Sequence, residues 1–189
     1  MEPVGQARRV DVSQASFDRE LLYGFGQSLY RDATDTFSGT EVALEQVLKL
    51  GVRCRPRPID RLSFEAATHI VIRSQHHNDD SSNDDGEIGA DLEVGGRVLI
   101  ASGEDAALAL FLGGFGEAGA NLGNSGLDPA FMQRYGAVAR VEVPFKKANG
   151  EEAFAVGLGI DGGGYTVGVD PITRVGSYYA VTFQLALPF

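Results

Sequence analysis

Three groups of residues in this chain have types and spacings that could do chemistry. Ser63, Glu65 and His69 share one parity within Arg61 to Arg73 (RLSFEAATHIVIR), and a hydroxyl, an imidazole and a carboxylate are the minimum set for nucleophilic acyl transfer. Along an extended chain Ser63 and His69 stand about 20 Å apart, so a hydroxyl from a neighbouring strand would have to complete the set. Buried polar groups usually satisfy one another, which favours a structural role for these residues. The second group is HHNDDSSNDDGE, His76 to Glu87. Asp79, Asp80, Asp84 and Asp85 are dense enough to hold Ca²⁺ or Mg²⁺ weakly, although the EF-hand spacing and its final bidentate Glu are not reproduced, and a solvated loop is the competing reading. The third is DGGG, Asp161 to Gly164, which lacks the P-loop Lys and the GxGxxG spacing of a phosphate site and reads as a flexible loop. The lone Cys54 excludes an intramolecular disulfide framework and a zinc site built from several thiolates. It reads as a small hydrophobe in apolar surroundings.

Strands must position these residues. Leu62, Phe64, Ala66, Thr68, Ile70 and Ile72 face away from Ser63, Glu65, Ala67, His69 and Arg73, a strict period of two. Ile88, Ala90, Leu92 and Val94 likewise oppose Glu87, Gly89, Asp91 and Glu93, and Tyr135, Ala137, Ala139, Val141, Val143 and Phe145 oppose Arg134, Gly136, Val138, Arg140 and Glu142. Glu152 to Asp161 alternates in the same way. In the last stretch Tyr179, Val181, Phe183, Leu185, Leu187 and Phe189 share a face. Ala106 to Glu117 is apolar on both faces, a strand of undefined orientation. Glu20 to Tyr30 and Glu41 to Arg55 fit either period two or a helix face. Strands are favoured there because Gly24 and Gly26 are poor helix formers.

The chain has 189 residues, enough for one domain with a substantial core. Sixteen Lys and Arg against 26 Asp and Glu give a net charge of −10, which repels phosphate backbones and argues against nucleic-acid partners. With 43% hydrophobic residues the chain is too apolar for disorder. No run approaches the roughly 18 apolar residues of a membrane-spanning helix. A transmembrane barrel stays open, because its signal is alternation. The 25 glycines favour strands with close backbone contacts.

About eight strands result, and their connections alternate in length. Tyr30 to Thr40, Ser74 to Gly86, Asn121 to Gln133 and Asp161 to Ser177 are long; Arg55 to Asp60, Ala101 to Asp105 and Lys146 to Glu152 are short. Short inner turns and long outer loops are the habit of outer-membrane barrels. The tail ending in Phe189, with Leu187, Leu185, Phe183, Val181 and Tyr179 at every second position, resembles the signal by which bacterial outer-membrane β-barrels are recognised for insertion. LKLGVRCRPRPIDRLSFEA also looks like a strand, periplasmic turn and strand of such barrels.

The resemblance implies an all-β, eight-stranded antiparallel up-and-down transmembrane barrel over residues 17–189, behind an N-terminal leader of residues 1–16, with both termini periplasmic. No charged-then-apolar signal peptide opens the chain, which implies a mature or excised form. With no Trp, the interfacial girdle would fall to Tyr30, Tyr135, Phe145, Phe154, Tyr165, Tyr179 and Phe189. The alternative is a soluble calycin-like barrel or α+β domain that buries the apolar row and binds an apolar ligand.

Inside an eight-stranded barrel there is room only for side chains. Glu45, Lys49, Arg53, Glu65, His69, Arg73, Asp91, Glu93, Arg140 and Glu142 are the expected lumen cluster, of mixed sign and able to pair as a plug. Small Ala155, Gly157, Gly159, Ala180 and Ala186 would sit beside them. The functional expectation is a non-enzymatic anchor or accessory protein of the bacterial outer membrane. Its expected partners are membrane lipids, lipopolysaccharide, surface polysaccharide or another protein, with no cofactor beyond a weakly held Ca²⁺ or Mg²⁺. A lipid-modifying hydrolase or acyltransferase using His69 is the enzymatic alternative.

Overall fold

A computed structural model describes residues 17–32, 42–56, 62–75, 86–121, 131–169 and 172–189. They form eight strands: β1 (Phe17–Asp32), β2 (Val42–Pro56), β3 (Leu62–Gln75), β4 (Gly86–Ser102), β5 (Ala107–Asn121), β6 (Phe131–Lys146), β7 (Glu152–Val169) and β8 (Ile172–Pro188). Each pairs antiparallel with the next, and β1 closes on β8 with Phe25 opposite Phe183 and Leu21 opposite Leu187. The result is a closed up-and-down barrel. Closure leaves no open edge among the described strands, so wall backbone groups pair across strands save at the irregularities between Leu99 and Ala101 and between Phe145 and Lys146.

Both front segments are strands. Leu21, Tyr23, Phe25 and Leu29 lie outside β1, while Glu20, Leu22 and Ser28 lie inside. Alternation also settles β5, where Ala107, Ala109, Phe111, Phe115 and Glu117 point inward and Leu112 outward. The apolar row of the other strands is exposed, including Leu62, Phe64, Ile70, Ile72, Val181 and Phe183, and the polar row is buried. This inverts a soluble barrel and rules out the calycin-like and α+β alternatives.

Two expectations need correction. Asp161 to Ser177 is not a long loop, because β7 continues to Val169 and β8 starts at Ile172. The DGGG run lies inside β7, where Gly163 pairs with Gly136. A Cβ on Gly163 would lie 2.0 Å from the Tyr135 carbonyl oxygen, and one on Gly136 would lie 2.1 Å from that of Gly162. The wall curls so tightly there that only glycine fits, and the glycine run marks a bend in a strand. Tyr165 is the other correction: it points into the lumen and cannot serve a girdle. Tyr135, Phe154, Tyr179 and Phe189 do face outward. Residues 1–16 and the acidic segment with Asp79, Asp80, Asp84 and Asp85 lie outside the described residues.

Candidate functional site

Alternating strands deliver one polar row each to the interior, and these rows meet as a continuous ionic column. All ten expected lumen residues, from Glu45 to Glu142, are buried inside. So are Glu20, Arg55, Glu87, Arg97, Glu117, Arg134 and Asp161. Arg55, Glu87, Arg97 and Arg134 stand in strand parity with an expected lumen residue, whereas Glu20, Glu117 and Asp161 lie on strands that carry none. Arg97 escaped notice because it borders the glycine pair Gly95 and Gly96, and Glu117 because it ends the run holding Gly113, Gly114 and Gly116; both blur the apolar alternation.

At the end away from the termini, Arg134 Nη2 donates to Glu87 Oε2 at 2.6 Å and Nη1 to Glu117 Oε1 at 2.9 Å. Arg73 completes this layer with Nη2 to Glu117 Oε2 at 2.5 Å, and Ser28 Oγ donates to Glu45 at 3.1 Å. Near the termini, Arg53 Nε donates to Glu20 at 2.5 Å, and its Nη1 reaches Glu142 and Glu65. Arg140 links the lower and middle layers, with Nη2 to Glu65 at 2.5 Å, Nη1 to Glu93 at 3.0 Å and Nε to Glu142 at 2.7 Å. Its guanidinium also lies 4.5 Å from the Phe111 ring centroid, a cation–π stack. Apolar Phe111, Phe115, Val138, Tyr165, Tyr178 and Ala180 form a buried cluster beside these layers. Planar, forked arginines suit this task because one guanidinium can serve several carboxylates.

The middle layer holds the residues with catalytic or metal-binding character. His69 Nδ1 is 2.6 Å from Asp91 Oδ1, an imidazole–carboxylate pair. A triad would need a hydroxyl at Nε2, and that nitrogen instead faces the Gln184 amide nitrogen at 3.5 Å. Ser63 stays a lower-lumen residue directly across from Arg97. His69, Asp91 and Glu93 also bring ligand-type atoms within 4.8 Å of one another. Lys49 Nζ lies 3.0 Å from Asp91 and 3.2 Å from Glu93, so its ammonium already supplies the positive charge that a metal ion would bring.

Outside, the wall is mainly apolar, interrupted by exposed Arg19, Gln27, Gln46 and Gln133, with Phe17, Phe64 and Phe189 near the termini and Phe131, Tyr135 and Tyr179 toward the far end. Leu92, Leu112, Leu158, Ile160 and Val181 lie between them. A soluble monomer does not expose a surface of this kind. Cys54 faces outward, where a thiol behaves as a small hydrophobe.

No protein-family model matches the chain, and no curated protein matches it by sequence. Among solved structures, the chain resembles Neisserial surface protein A (NspA), with a TM-score of 0.52 and 9% identity over 90% of this chain and 97% of that one. The outer membrane protein AlkL gives a TM-score of 0.47 and 11% identity over 99% and 94% of the two chains. Ail, the attachment invasion locus protein of Yersinia pestis, gives 0.37 and 11% over 88% and 98%. At such identities the likeness to NspA is one of fold, and the fold is the eight-stranded closed β-barrel of outer-membrane proteins.

Proposed function

We propose that this chain is a small, non-enzymatic protein of the bacterial outer membrane, whose barrel is an anchor and whose outer segments make the functional contacts. The observation that carries this reading is the division between wall and interior: an apolar exterior surrounds a lumen filled by interlocking arginines and carboxylates. Among the described residues the filled lumen leaves no through-going pore, which leaves the segments 33–41, 76–85 and 122–130 to meet a partner such as surface polysaccharide, lipopolysaccharide or another protein. The termini then lie on the periplasmic side, and the row Tyr179, Val181, Phe183, Leu185, Leu187 and Phe189 serves as the insertion signal. Cell fractionation tests the reading directly. The protein is expected in the detergent-extracted outer-membrane fraction, and recovery as a monomer in detergent-free buffer would overturn the assignment.

The enzymatic alternative is disfavoured by the place of His69, which is 2% exposed and points into the lumen, away from any lipid outside the wall. Lipid A from cells making the protein or its His69→Ala variant is expected to be identical. A modification lost with His69 would establish the enzyme.

For the acidic segment we propose weak binding of Ca²⁺ or Mg²⁺ by Asp79, Asp80, Asp84 and Asp85, tethering it to lipopolysaccharide phosphates. Clustered carboxylates repel one another unless a cation neutralises them. Calorimetric titration with calcium is expected to give heat at millimolar concentration that is lost when the four are changed to Asn; no heat would leave a solvated segment.

A further inference from the structure

The outer wall carries one recess that its own side chains do not fill. Along β5 the outward row shrinks to Gly114, Gly116 and Ala118, and the strand register sets Gly116 between Leu92 and Tyr135 and Ala118 between Ala90 and Gln133. The last six of these line a shallow concavity of about 440 Å³ on the outside of the barrel. The alternate residues Asp91, Glu117 and Arg134 also border it, but their side chains are buried in the lumen and held in ion pairs there. Two details keep the recess open. A Cβ added at Gly116 would meet nothing within 4 Å, and Tyr135 leans the other way, over β7, where its hydroxyl lies 3.1 Å from the position of a Cβ on Gly164. Gln133 stands at the rim, one outward position beyond Tyr135 toward the far ends of the strands. It is exposed, and its amide has no hydrogen-bond partner among the described residues.

An empty recess forfeits the dispersion contacts of the atoms that line it, and an amide at the edge of a hydrocarbon layer costs free energy until it finds a partner. One occupant answers both. With the termini periplasmic, as in the function proposed above and on which this step rests, the recess opens toward the outer leaflet, with its rim at the level of the outward tyrosines. We propose that it seats an acyl chain of lipid A, with Gln133 hydrogen-bonded to the polar group at the head of that chain. A glutamine amide both donates and accepts. The amide-linked hydroxyacyl chains of lipid A offer a donor and an acceptor side by side, whereas the ester of a glycerophospholipid only accepts. Gly116 and Ala118 give the chain a floor, and Leu92 and Tyr135 flank it.

The test is to fold the barrel into vesicles holding equal amounts of lipid A and phosphatidylethanolamine, extract it in mild detergent and weigh the intact complexes by native mass spectrometry. The unmodified barrel is expected to retain lipid A over phosphatidylethanolamine by about fivefold, the size of one hydrogen bond. Gln133→Leu should remove that preference. Gly116→Leu, whose new side chain fills the recess without meeting the wall, should abolish retention, with folding verified by unchanged heat-dependent gel mobility. Equal retention of the two lipids, or undiminished retention by folded Gly116→Leu, would overturn the proposal. So would a dimer that Gly116→Leu dissolves, which would assign the recess to a second copy of the chain. A barrel that inserts yet keeps no lipid A defeats the recess alone, whereas one that does not insert defeats the membrane reading as well.

Discussion

Arg53 shows how a single side chain holds the interior together. Wholly buried, it serves Glu20, Glu65 and Glu142, which come from three different strands. Arg53→Ala would leave these carboxylates short of a counter-charge in a medium that penalises bare ions, a loss of about 3–5 kcal/mol. Urea unfolding from lipid vesicles measures it. Replacing Arg53 and Glu142 together by Met should cost less than the sum of the single changes, because neither partner is then stranded. The participants at this scale were largely legible in the sequence, since charge and strand parity single out Arg53, Glu65, Arg140 and Glu142. Their pairing was not. Arg140 meets Glu65 across 75 residues of sequence, and such a partnership depends on how the strands stagger around the closed barrel, which no local pattern encodes.

At the scale of the strand, alternation is the whole code, and it was readable wherever large apolar residues marked one face. β3, β6 and β8 carry Ile70, Val141 and Val181 outward and His69, Arg140 and Ala180 inward as their periodicity requires. The reading failed where side chains are missing. In β7 the Gly162–Gly164 run looks like a loop, and only the close approach of Gly163 to the Tyr135 carbonyl shows it to be a bend in the wall. The consequence is a β7–β8 hairpin whose strands come within residues 170–171 of each other, so the expected sorting of long and short connections holds for three of the four outer ones. The outward row of each strand should respond to charge according to depth. Phe183, between Tyr179 and Leu187 on β8, lies near mid-wall, and Phe183→Lys is expected to destabilise the barrel by about 2–4 kcal/mol. Phe17, at the start of β1, lies at the boundary, where Phe17→Lys should cost only about 0–1 kcal/mol. Equal costs for the two, measured by unfolding in vesicles of one lipid, would contradict a membrane-embedded wall.

For the molecule as a whole, the question is whether a barrel with so polar an interior conducts ions. An eight-stranded wall leaves an interior that side chains can fill, and here they do so in successive layers: Arg134 with Glu87 and Glu117, then Lys49 with Asp91 and Glu93 beside Phe115 and Tyr178, then Arg53 with Glu20 and Glu142. Among the described residues, seven buried Lys and Arg face nine buried Asp and Glu, so the column is close to neutral, and the greater part of the chain's excess of ten acids lies elsewhere. An ion entering this column would have to break charge-assisted bonds in every layer, and the gain from replacing one partner by another is small compared with the loss. The unmodified barrel inserted in a planar bilayer should therefore show no conductance steps at neutral pH. Truncating one plug residue in each layer, by Arg134→Ala, Phe115→Ala and Arg53→Ala together, should open a narrow path. Because nine carboxylates would then face only five buried cations, that path should pass cations in preference to anions. Steps from the unmodified barrel would show that the ionic column yields to ions and is no plug, while an anion-selective variant would mean that the carboxylates do not line the path their burial places them on.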